Sequence, residues 1–106
     1  MDKKTTNMES TGNKLIAEFM GYEVKHGKCY SPKYNDGTIA PMQFDRSWDW
    51  LMPVADKCLT TDEAFVTEGQ HYFVNDALLT CNIEVVYDRV VLFIKDYNFI
   101  KEHNNG

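Results

Sequence analysis

A chain of 106 residues, 43% of them hydrophobic and 13% aromatic, has the material for one domain with a packed core and is not a disordered segment. Its net charge of −5 is uneven, with six lysines against four acids in residues 1–33 and five Lys/Arg against twelve acids in residues 34–106. An acidic body without a basic stripe excludes a nucleic-acid partner, and the longest apolar run, Val90–Ile94, is too short to span a bilayer, so no membrane partner is expected.

Residues 1–7 read as a loose arm. Thr6 and Glu9 have capping-box spacing, Ser10 or Thr11 are rival starts, and Gly12 weakens a helix running on from Met8. From Asn13 the pattern firms: Leu15, Ile16 and Phe19 share a face, and Gly21 stands where helices commonly end. Tyr22–Lys25 alternates apolar and polar residues and predicts a strand. Beyond it the chain is punctuated by Gly27, Pro32, Asn35-Asp36-Gly37 and Pro41. Asp36-Gly37 is a tight-turn signal that predicts an irregular hairpin of 29–34 with 38–44, its prolines keeping both arms off the centre of a sheet.

Asp45 or Ser47 caps a second helix with a stripe of Trp48, Leu51, Met52, Ala55 and Leu59, interrupted by Pro53. Two β-type runs, Ala64–Thr67 and His71–Val74, flank Glu68-Gly69-Gln70 and predict a second hairpin. Thr80 or Asn82 then caps a third helix reaching about Phe99. Its core face is Ile83, Val86, Tyr87, Val90, Phe93, Ile94 and Tyr97, opposite Glu84, Asp88 and Lys95. Residues 100–106 read as a frayed tail. The expected fold class is α+β: one domain over residues 1–106, an antiparallel sheet of three to four strands packed with three helices, for which an αβα sandwich is one arrangement.

Chemistry is sparse along this chain. Cys29, Cys58 and Cys81 are far apart, and the lysines at the N-terminus are followed by no apolar region of a secretory signal. Free thiols and a cytoplasmic location are expected. His26 and Cys29 have a spacing that zinc accepts, but zinc takes three or four such ligands, and Cys58, His71 and Cys81 add no paired spacing; neither metal nor cofactor is expected. No local motif orients Cys29 or Cys58 beside a histidine as a nucleophile. Asp45, Asp49, Asp56, Asp62 and Glu63 fit capping and solvation better than a catalytic face. No glycine spacing cradles a phosphate. No catalytic residue is named, and the chain is expected not to be an enzyme.

Two surface features remain. Val85, Leu92 and Phe99 recur every seven residues in a second, narrower stripe away from the main core face of the third helix. Trp50 lies about 200° around the second helix from Trp48, next to Val54. Since Trp48 continues the core stripe, Trp50 is expected at the surface. Trp50, Val54, Val85, Leu92 and Phe99 are therefore the candidate binding residues for another protein or a second copy of the chain, with cover by the chain itself as the competing reading.

Three blocks carry a family resemblance: residues 13–22 (Asn13 to Tyr22), 44–57 (Phe44 to Lys57) and 83–98 (Ile83 to Asn98). Together, and in this order, they resemble a group of small uncharacterised proteins of phages, prophages and gut bacteria, related in turn to the phage ABA-sandwich domain. The resemblance implies a sheet between helical layers and an accessory protein of a mobile element in the cytoplasm of a bacterial host cell. It implies no catalytic residue. The function expected on these grounds is protein–protein interaction with a host factor, and the alternative is a small-ligand or nucleotide-binding protein that sequesters its ligand.

Overall fold

In the computed structural model, which describes residues 3–30 and 39–104, the chain runs through α1 (Lys3–Met20), β1 (Lys28–Tyr30), β2 (Ile39–Pro41), α2 (Trp48–Thr60), a single 3-10 turn (Glu63–Phe65), α3 (Gln70–Leu78) and α4 (Ile83–Asn104). The one-sided stretch near the C-terminus is α4, and α1, α2 and α3 all pack on it. Asn82 caps it, its Oδ1 accepting the backbone N–H of Glu84 at 3.0 Å. Val86, Val90, Phe93 and Ile94 are fully buried along α4, the spacing that its amphipathic pattern requires. The helix continues to Asn104, past the tail expected from residue 100.

α1 likewise starts earlier than expected, at Lys3, so residues 3–7 are helical backbone rather than an arm. Gly12 sits inside it for a steric reason. A Cβ there would run into the Tyr87 hydroxyl, with the Tyr87 ring carbon Cζ only 3.2 Å away, so the missing side chain is what lets α1 lie close on α4. One residue on, the Tyr87 hydroxyl donates to Asn13 Oδ1 at 3.2 Å. The helix ends as its glycine predicts: Gly21 has φ +82°, its N–H reaches Glu18 O, and the Tyr22 N–H reaches Ala17 O at 2.8 Å.

The expected sheet does not form. Among the described residues the protein has four helices and one two-stranded antiparallel ribbon, pairing Lys28 with Pro41, Cys29 with Ala40 and Tyr30 with Ile39. This overturns the α+β sandwich of three to four strands and three helices, and each missing strand has a cause. Tyr22 and Val24 do turn toward the core while Glu23 and Lys25 face solvent, but among the described residues the segment finds no partner strand. Only Lys25 pairs, exchanging two bonds with Lys28 across His26 (φ +55°) and Gly27 (φ +77°), the two left-handed residues of a tight hairpin turn. The Asn35-Asp36-Gly37 turn signal lies outside the described residues.

The hairpin expected over residues 64–74 is the 3-10 turn followed by α3. Four-residue apolar runs do not separate strand from helix. Here burial recurs at helical spacing, with half-buried Gln70 and His71, buried Val74 and Ala77, and half-buried Leu78. Gly69, left-handed at φ +98°, starts the helix. The approach is pinned from α4, where the Asp96 carboxylate accepts the Thr67 N–H at 2.6 Å and the Thr67 hydroxyl at 2.7 Å. A lone hairpin would leave one face without a partner, whereas α3 lays Val74 and Ala77 on α4.

α2 runs through Pro53, with Ser47 as its extended N-cap residue. Both flanks of its Leu51–Ala55 line are apolar: Trp48, Met52 and Leu59 on one side, Trp50, Val54 and Cys58 on the other. The helix buries the second flank. Phe44, fully buried just ahead of α2, meets the Trp50 ring edge-on at 5.1 Å and fixes that rotation.

Candidate functional site

The rotation of α2 corrects the first half of the candidate surface. Trp50 is 3% exposed and Val54 is fully buried, so neither is available to a partner, while Trp48, expected in the core, is 37% exposed. Leu51 and Ala55 belong to either stripe of the helix, so the stripes alone do not choose; Phe44 does.

The second half lies at the surface. Val85, Leu92 and Phe99 are exposed along α4, Phe99 the most at 59%. The structure adds aromatic side chains that α3, as a helix, brings to the same side. The Phe73 ring lies under the Arg89 guanidinium at 4.7 Å, and the Tyr72 ring meets Phe73 at 5.9 Å. On α4, Arg89 neighbours Val85 four residues back and Leu92 three residues on. Phe73, Val85, Leu92 and the Arg89 stem thus form one patch, extended a further two turns to Phe99, whose ring stacks on His103 at 4.1 Å. Tyr72 and Phe73 read as strand residues from their local pattern, and no signal in the sequence joins them to the stripe.

Charge frames this patch. Asp88 and Lys95 are exposed on one side of it, and Arg89 and Asp96 are half-buried on the other. Asp96 is engaged by Thr67. Arg89 makes no ion pair among the described residues, and its Nε is shut from solvent without a hydrogen-bond partner.

Among the described residues, hollows also open elsewhere. One, of about 650 Å³, lies between the end of α2 and the start of α3, lined by Leu59, Thr61, Asp62, Glu63, Gly69, His71 and Tyr72. His71 is held there, its Nε2 2.6 Å from the Thr61 carbonyl oxygen and its ring edge-on to Phe93. Its lining carries two carboxylates, Asp62 and Glu63, and no Lys or Arg. Another, of about 260 Å³, is lined by Asp45, Glu84, Tyr87 and Asp88.

The remaining candidates for chemistry stand apart. Cys29 is buried beneath the ribbon while His26 is exposed on its turn. Burial pushes the Cys29 thiol up to about 11 and the Cys58 thiol up to about 12, the latter against a small opposing effect of Lys57. Thiols held protonated in this way are poor nucleophiles. Of the acids, Asp62 caps the 3-10 turn through the Ala64 N–H at 2.8 Å and Asp45 pairs with Arg46, while Asp49 and Asp56 face solvent on α2. No three His, Cys, Asp or Glu side chains converge on a common point among the described residues. No described helix is long and apolar enough to cross a membrane. No family model, curated protein or solved structure matches the chain.

Proposed function

We propose that the chain acts by binding another protein through the α3–α4 face, without turnover chemistry of its own. The observation that carries this reading is the joined exposure of Phe73, Val85, Leu92 and Phe99 around Arg89. Contiguous apolar surface is uncommon on monomers, and where it occurs it marks interaction sites. Aromatic and arginine side chains are also the types that dominate binding interfaces. The block resemblance adds a setting to this reading: a phage or prophage accessory protein that meets a host factor in the bacterial cytoplasm.

The test is retention of a protein partner by the immobilised parent chain and by Leu92→Asp. Leu92 is exposed, so the substitution leaves the fold intact and places a charge at the middle of the face. The partner is expected to be lost on Leu92→Asp, with the melting temperature unchanged. A partner held equally by both proteins refutes the reading.

A further inference from the structure

We infer that the α3–α4 face closes on a second copy of this chain, with the two α4 helices antiparallel about a two-fold axis at Leu92. This rests on the reading of the face as a protein-binding surface and names the partner. The charges beside the stripe carry it. Asp88 and Lys95 stand seven residues apart on one flank, and Arg89 and Asp96 stand seven apart on the other. Each flank holds one acid and one base, with Leu92 between them.

A two-fold axis that reverses the helix direction turns each flank toward its own copy. At about 1.5 Å of rise per residue, Asp88 lies about 6 Å from the axis, and the partner's Lys95 about 4.5 Å from it on the same side. That offset is one residue's rise, well within reach of a lysine side chain. Arg89 and the partner's Asp96 are matched in the same way. Val85 and the partner's Phe99, each seven residues from Leu92, come to the same height, and Leu92 meets its own copy. The patch is complementary to itself in charge and in the register of its apolar residues.

The flanks also choose the direction. Parallel α4 helices would set each copy's Phe73 and α3 against the exposed Asp88–Lys95 flank. Antiparallel helices bring the two α3 helices to the same side of the axis, where Tyr72 and Phe73 of each copy lose water together. Arg89, without an ion pair among the described residues of its own chain, gains one across the interface.

Sedimentation equilibrium of the full chain tests this. The parent is expected to form a two-chain species, and Leu92→Asp, with unchanged circular dichroism, to remain a single chain. Asp88→Lys or Lys95→Asp alone turns two attractive pairs per dimer repulsive and should weaken association on the order of tenfold. The double variant Asp88→Lys/Lys95→Asp should restore it. A double variant no tighter than either single one overturns the antiparallel arrangement. A parent that stays monomeric yet retains a different protein through this face overturns the second copy and leaves the protein-binding reading standing. A monomer that retains nothing overturns both.

Discussion

Replacing Trp50 with alanine tests the packing decision that placed α2. The indole is 3% exposed and meets Phe44 edge-on at 5.1 Å. Truncating a buried tryptophan costs about 3–5 kcal/mol through lost transfer energy and the cavity left behind, and about 0.5–1.5 kcal/mol of that belongs to the aromatic pair. A domain of this size has only about 5–15 kcal/mol of stability to lose. Each kilocalorie shifts its melting point by about 4–8 °C, so a drop of about 12 °C or more is expected. Trp48, 37% exposed on the opposite flank, leaves no enclosed cavity, and Trp48→Ala should cost about 1–2 kcal/mol. The measurement is thermal unfolding followed by far-ultraviolet circular dichroism, so that loss of a fluorophore does not bias the comparison. A Trp50→Ala midpoint equal to the parent's, or a Trp48→Ala midpoint below that of Trp50→Ala, refutes the assignment of the buried flank.

Gly12→Ala should destabilise although alanine gains about 1 kcal/mol of helix propensity, because its Cβ meets the Tyr87 hydroxyl. In a Tyr87→Phe background the penalty should shrink, giving a coupling of about 1 kcal/mol in a double-mutant cycle, and strictly additive effects would contradict the close approach. An alkylating reagent should modify exposed Cys81 in the native protein and reach Cys29 and Cys58 only on unfolding, as mass spectrometry can follow. Those two buried thiols hold their protons in the fold to about 11 and about 12, so their linkage stability is full below about pH 9, where the unfolded thiols are also protonated. It falls as pH rises above 9, because the unfolded chain then binds fewer protons than the folded one. Cys58→Ala should flatten that alkaline decline relative to the parent in chemical denaturation, and an unchanged slope would contradict the assignment.

Elements whose signals are local or long can be read from the residues alone. Four turns of one-sided apolar spacing specify α4 and its core residues Val90 and Phe93, Asn82 specifies its start, and Gly21 specifies the end of α1, because each depends on neighbours within a few residues. The stripe of Val85, Leu92 and Phe99 is legible for the same reason. Tertiary packing settles the cases in which local preference is balanced. His71–Val74 has β-type residues, yet it is helical because Asp96 holds Thr67 in place and α4 offers Val74 and Ala77 a face. α2 has two apolar flanks of comparable size, and Phe44, a residue outside the helix, selects the one with Trp50. The surface that remains, α4's stripe joined to Phe73 of α3, exists only once those two choices are made. Burial is a property of the assembled core, and a periodicity counted within one element does not contain it.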